Sequence, residues 1–304
     1  MASERMKYMR EMMQNQYKMQ GIHSKSGKFR PWKMRMASNL SMMMLKPLKG
    51  CKYEKIKLGI MKGERITPPQ VKSKDIIFYI HGGGLVAGNA RTSRYYGSDL
   101  AINSGCVVYT ASYRLAPEHK AMAAQEDCIS AYETLLSLYP NRNIFVLGES
   151  GGAYLTVTTC LMAKDKGLKL PTAVAVYSVL MDASGEIDRS KNEETDISLS
   201  CHTLEQLFFN FCPDKILAKH PYVSPKNGDF SNFPPTFMAW DEGEVLAADS
   251  HILKELLKEN GIACVGKGYK GAFHAFLTMG HMVPEAKDVM EETLVFFSSN
   301  KHHK

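Results

Sequence analysis

The residue with the clearest chemistry is Ser150. It sits in Gly148-Glu149-Ser150-Gly151-Gly152, after the apolar run Asn143-IFVL to Leu147 and before a helical pattern over about 151–165. This is the G-x-S-x-G spacing in the strand–turn–helix setting that lifts a serine hydroxyl above a sheet. The glycines permit a turn too tight for side chains. The helix behind the turn aims its N-terminal N–H groups at the place where an oxyanion would form. The chemistry on offer is attack by Ser150 on an acyl carbonyl. A second signal, His81-Gly82-Gly83-Gly84, follows the apolar run ending at Ile80. Consecutive glycines let backbone N–H groups approach a substrate oxygen, and Gly83, Gly84 and Gly151 are expected to form the oxyanion hole. A phosphate-cradling loop is the weaker reading, because the Walker Lys-Ser/Thr and the G-x-G-x-x-G spacing are both missing.

A serine hydroxyl needs a base, and the base needs an orienting acid. Of the ten histidines, His274 lies in Gly271-AFHAF to Phe276, between the last expected strand and the final helix, where a loop can reach back over the sheet. His281 is the runner-up. His302 and His303 fall in the tail, and His81 belongs to the glycine loop, where bracing is the plainer role. The acid is expected after the run ending at Trp240, among Asp241, Glu242, Glu244 and Asp249. Glu244 is favoured because it stands at the entrance of an apolar-periodic helix, and Asp241 is next. The resulting chain order, Ser150, Glu244, His274, is that of α/β-hydrolases.

These loops need a scaffold. Short apolar runs at 75–80, 106–110, 143–147, 172–179 and 235–240 alternate with helical patterns at about 94–104, 119–138, 151–165, 246–260 and 284–298. That rhythm predicts a mostly parallel central sheet with helices on both faces, an α/β fold. Two segments break it. Residues 1–50 hold 11 of the 19 Met and can place Met6, Met9, Met13 and Tyr17 on one helical face. Residues 182–220 open on the polar stretch DASGEIDRSKNEETDISLS and then read as a helix at about 203–211. The expected organisation is an N-terminal part of a helical cap at 1–50 and a catalytic domain at 51–304, with a cap insertion at about 182–220.

Charge needs the same division. The formal net charge of +7 suggests nucleic acid or an anionic surface, but residues 1–62 carry 15 Lys/Arg against 3 Asp/Glu, and residues 63–304 carry 23 against 28. The positive excess therefore belongs to one appended segment. Its aromatics are sparse and no nucleic-acid-binding motif occurs, so no nucleic-acid partner is expected. Seven Cys without a C-x-x-C pair argue for reduced thiols, and neither a signal-peptide h-region nor an apolar run of membrane-spanning length is present. A cytoplasmic location is the expectation. Peripheral lipid contact and a homodimer are left open.

The chain resembles the hormone-sensitive-lipase-like family of α/β-hydrolases, a set of carboxylesterases. The resemblance rests on HGGG at 81–84, YRLAPEH at 113–119, GESGG at 148–152, EVLAADS at 244–250 and the His274 loop. It implies an α/β-hydrolase fold with a helical cap, a triad of Ser150, Glu244 and His274, oxyanion donors at Gly83, Gly84 and Gly151, and no metal or cofactor. It implies a serine esterase acting on small to medium hydrophobic carboxylic esters through an acyl-enzyme. A lipase, lactone hydrolase or deacetylase on the same triad is the alternative. A non-catalytic ligand-binding receptor on a hydrolase scaffold is the more distant one. Departures from the family pattern fall at Glu149, usually Asp; Gly151, usually Ala; Glu244, more often Asp; Leu85, usually aromatic; and Lys120, where Pro-Phe-Pro is usual. Arg114 and Glu118 read as a buried or half-buried brace for the glycine loop.

Overall fold

The structure, a computed structural model, describes residues 2–20 and 29–301. Eight strands form one sheet: β1 (Lys52–Leu58), β2 (Met61–Thr67), β3 (Ile76–Ile80), β4 (Val107–Ser112), β5 (Ile144–Glu149), β6 (Ala173–Tyr177), β7 (Thr236–Asp241) and β8 (Cys264–Tyr269). The order across the sheet is β1-β2-β4-β3-β5-β6-β7-β8. β2 runs antiparallel to both β1 and β4, and every other pairing is parallel.

Helices α3 (Arg94–Ser104), α4 (Ala123–Leu138), α5 (Gly151–Asp165), α7 (Ala247–Glu259) and α8 (Pro284–Ser299) connect or follow the strands. Strand periodicity divides the core in two. Ile76, Phe78 and Ile80 pack with residues of α4, α5 and α7, whereas Ile77 and Tyr79 pack with residues of α3 and α8. With both faces covered, β3, β5, β6 and β7 are buried along their whole length, which is why they read as continuous apolar runs. β1, β2 and β8 give no such run. β1 is KYEKIKL and mostly solvated, and β8 carries two glycines.

Three further helices lie outside this sandwich: α1 (Glu4–Gln20), α2 (Pro31–Met44) and α6 (Cys201–Phe211). Met6 and Met9 of α1 are buried against the α3/α8 side of the core. Ser3 ties the start of α1 to α8, its N–H and hydroxyl both donating to the Glu285 carboxylate at 2.6 and 2.9 Å. Pro31 opens α2, where its missing N–H has no helical partner to lose. The Ser200 hydroxyl caps α6 by accepting from the Thr203 N–H at 3.0 Å. No helix among the described residues is long and apolar enough to cross a membrane.

The register sets the site. Ile80 pairs with Gly148, Glu149 with Tyr177, and Asp241 with Tyr269. The loops leaving β3, β5, β7 and β8 therefore emerge at the same edge of the sheet. β3 lies between β4 and β5, so successive connections leave it in opposite directions, and the crevice at such a switch point is where open α/β sheets place ligands.

Candidate active site

Ser150 stands between β5 and α5 with φ 54° and ψ −122°, a conformation that side chains rarely adopt and that costs roughly 1–3 kcal/mol. Two contacts hold it there. Its N–H donates to the Tyr177 carbonyl at 2.8 Å, and its own carbonyl accepts from the Tyr154 N–H at 3.0 Å. Two glycines make the turn sterically feasible. A Cβ on Gly148 would collide with the Gly152 carbonyl, and one on Gly152 with the Ile80 carbonyl. Gly152→Ala is therefore expected to destabilise the fold by at least about 1–3 kcal/mol, read as a lower midpoint in denaturant with an unchanged slope.

His274 Nε2 lies 2.8 Å from Ser150 Oγ, and His274 Nδ1 lies 2.6 Å from Glu244 Oε2. Glu244 is fully buried, and its second carboxylate oxygen has no hydrogen-bond partner among the described residues. Burial alone would depress the imidazolium. The charge of Glu244 and its hydrogen bond more than reverse that, so His274 ends above the ordinary imidazole range. The backbone behind the imidazole is pinned by the Ala275 N–H, which donates to Ser178 Oγ at 3.1 Å.

The other candidates lie elsewhere. His281 contacts Asp99 at 3.2 Å through Nδ1. Asp241 accepts from the Ala272 N–H at 3.1 Å, Glu242 pairs with His251 at 3.0 Å, and Asp249 is bound by Arg189 at 2.7 Å. His302 and His303 lie outside the described residues.

The glycine loop is braced from below. His81 is buried, stacks on Tyr113 with ring centroids 4.3 Å apart, and places Nδ1 2.7 Å from the Gly82 carbonyl. Burial drops its pKa to about 4, so the ring is neutral and Nδ1–H donates. The Tyr113 hydroxyl donates to the His81 carbonyl at 2.8 Å. Glu149 Oε1 accepts the Gly82 N–H at 2.6 Å, and burial raises this carboxyl to about 8. A Cβ placed on Gly151 would face the amide nitrogens of Leu85 and Gly84 at 3.2 and 3.5 Å. The first N–H of α5 and the glycine loop thus open on one space. Among the described residues, the N–H groups of Gly83, Gly84 and Gly151 have no backbone acceptor.

That space is a cavity of about 720 Å3. Ser150 and His274 form its floor with the glycine loop. Its walls come from α1, α2 and α6, through Met9, Met13, Met34, Met42, Leu207 and Phe208 among others.

The outer segments grip the loops that carry Glu244 and His274, a feature that no sequence motif announces. Asn192 Nδ2 donates to the Glu242 and Glu244 carbonyls, each at 2.8 Å, and Thr195 Oγ1 donates to the Gly243 carbonyl at 2.8 Å. Asp196 Oδ2 accepts the Val245 N–H at 2.9 Å. Arg10 of α1 donates to the Ala272 and Thr195 carbonyls and lies 3.6 Å from Asp241. The turn carrying Glu244 and the loop carrying His274 are thereby held from outside the sandwich. No spacing rule links residues this far apart in the chain.

Arg114 and Glu118 do not form the brace expected of them. Arg114 pairs with Asp127 at 2.9 Å and Glu126 at 3.1 Å, because the turn after β4 folds back on α4. Glu118 is exposed and pairs with Arg35 of α2 at 2.7 Å. Arg35 ties the segment just after the glycine loop to the turn after β4, donating to the Val86 carbonyl at 2.7 Å and the Ala116 carbonyl at 2.9 Å. One turn later Asn39 Oδ1 accepts the Gly88 N–H at 3.0 Å. If the glycine N–H groups serve as oxyanion donors, Arg35→Ala is expected to lower kcat on a soluble ester about tenfold with KM nearly unchanged, since such donors act mainly on the transition state. Glu118→Gln removes only the exposed partner and should cost less than about twofold.

Known proteins share this fold. A family model described as alpha/beta hydrolase fold matches residues 77–278. An esterase of Acinetobacter venetianus is 29% identical over 80% of this chain and 81% of its own. An acetyl-hydrolase of Streptomyces hygroscopicus is 25% identical over 96% and 95%. A crystal structure of an esterase from the bacterial hormone-sensitive lipase family superposes with a TM-score of 0.89 at 23% identity, covering 99% of each chain. All seven cysteines are free. The match covers β3 to the His274 loop and takes in every residue of the site described above except those of α1 and α2, so the chain belongs to the α/β-hydrolase fold family.

Proposed function

We propose that the protein is a serine carboxylesterase acting on small to medium hydrophobic esters. The observation that carries this is the unbroken line Ser150 Oγ, His274, Glu244, with contacts of 2.8 and 2.6 Å, at the floor of an apolar-walled cavity. In this reading His274 Nε2 takes the Ser150 proton as Oγ attacks the ester carbonyl, and Glu244 orients the ring and balances the imidazolium. The N–H groups of Gly83, Gly84 and Gly151 receive the oxyanion, each worth about 3–4 kcal/mol. His274 then protonates the departing alcohol. Water enters and attacks the acyl carbon as it gives a proton to His274, and His274 returns that proton to Ser150 Oγ as the acid leaves, which restores the starting state. Similarity to proteins named esterase and acetyl-hydrolase supports ester hydrolysis as the reaction class.

Residues 1–50 and about 182–220 serve in this proposal as a cap, because α1, α2 and α6 supply the cavity walls. A wall of methionines adapts to varied apolar shapes. The volume leaves room for acyl chains longer than acetate. The test is a p-nitrophenyl ester series from acetate to decanoate on the purified protein. Hydrolysis peaking beyond acetate is the expected result. No turnover of any ester would overturn the proposal in favour of a ligand-binding receptor, and strict preference for acetate would overturn the substrate range.

A further inference from the structure

The helix α2 is apolar on two opposite sides. One side faces inward, with Met34 and Met42 on the cavity wall beside the small side chain of Ser38. The other side carries Trp32, Met36, Leu40 and Met43, at spacings of four, four and three, and all four are exposed to solvent. Trp32 is 58% exposed and Leu40 63%. A helix packed on a globular body ordinarily turns charged residues outward. Here four large apolar side chains share the outward face of one helix, and an exposed apolar surface of this kind marks an interaction site.

Charge identifies the partner. From Met12 to Tyr53 the chain has nine Lys/Arg and no Asp/Glu. Lys33 sits over the Trp32 ring at 5.7 Å, and Lys46 and Lys49 follow the far end of the stripe. A two-fold contact between copies would set this uniformly basic segment against itself. An anionic lipid surface instead offers apolar depth for the stripe and phosphate and carboxylate groups for the rim of cations. Tryptophan at such a boundary places its ring at headgroup level. The stripe also meets the cavity: Met44 is 75% exposed and lines the cavity at the same time.

We infer that the outer face of α2 is a docking surface for an anionic lipid membrane, which sets the cavity mouth against the bilayer. The consequence for substrate, that esters dissolved in the bilayer reach Ser150 along α2, rests on the esterase proposal above. The docking itself does not.

The test is co-sedimentation of the full chain with vesicles of phosphatidylcholine alone and of phosphatidylcholine with about one-third phosphatidylserine. Two variants are compared: Trp32→Ser/Met36→Ser/Leu40→Ser, and Lys33→Gln/Lys46→Gln/Lys49→Gln. Neither set belongs to the reactive machinery, so both should hydrolyse a soluble ester within about twofold of the parent, and their circular dichroism should match it. The parent is expected to bind the phosphatidylserine vesicles and to lose binding steeply with salt. The apolar variant is expected to bind at least about tenfold more weakly, and the lysine variant to lose its preference for phosphatidylserine. No binding by the parent, or equal binding by the apolar variant, would overturn the inference. So would a parent dimer that the apolar variant converts to monomer while vesicle binding stays unchanged. If the parent hydrolyses no ester yet sediments as expected, the esterase proposal fails and the docking surface stands.

Discussion

Ser150→Ala is expected to reduce hydrolysis of a soluble ester by on the order of 10^4 to 10^6, and to abolish covalent labelling by a fluorophosphonate probe. The expectation is large because, in the proposed mechanism, the variant removes the oxygen that would carry the acyl group. The glycine N–H groups and the cavity are untouched, so in the proposed mechanism a small residual rate and ester binding should persist. Alanine keeps the backbone at Ser150, where φ is 54° and ψ −122°, under the same strain, so the fold should be little changed. Full activity in this variant, or labelling elsewhere in the chain, would exclude Ser150 as the nucleophile.

Glu244→Gln should produce the second largest loss, roughly 10^2 to 10^4 in kcat, together with a shift in pH dependence. A base must be unprotonated to work, so activity rises with pH through the His274 pKa. That pKa is raised, which puts the acid limb of the parent above the usual imidazole value near 6.5. Glutamine removes the charge that raises it and leaves the burial that lowers it. The acid limb should therefore move down in pH while the plateau falls. Asp241→Asn is the comparison, because Asp241 bonds the Ala272 N–H and faces Arg10 rather than His274. A larger loss from Asp241→Asn than from Glu244→Gln would reassign the acid.

Much of the scaffold is legible in one dimension because it is buried on both faces. The runs at 75–80, 143–147 and 235–240 correspond to β3, β5 and β7 within a residue or two, and the helical patterns at 94–104 and 151–165 coincide with α3 and α5. β1 and β8 were not legible because their polar and glycine-containing sequences meet a solvated or half-covered surface, and β2, though mostly buried, interrupts its apolar residues with Lys62, Gly63, Glu64 and Arg65. The helix beginning near 119 starts only at Ala123, since the turn from Glu118 is drawn outward to Arg35 and the Ala121 N–H is held by the Phe211 carbonyl.

The sequence by itself determined the chemistry on offer. Gly148, Ser150 and Gly152 lie within five residues and the glycine loop within four, so local backbone geometry is written in their order. Only the tertiary structure decided which acid meets His274, since Asp241, Glu242 and Glu244 crowd one short turn and differ in direction rather than in position. It alone turned the basic N-terminal excess into two distinct things. Arg10 fastens the loop carrying His274 and Arg35 the segment after the glycine loop, and Lys33 sits beside Trp32 in an exposed apolar stripe. The physical reason is the range of the forces. Turn sterics act between neighbours in the chain, whereas hydrogen bonds and burial act between neighbours in space, and folding alone makes residues 35 and 86, or 196 and 245, neighbours.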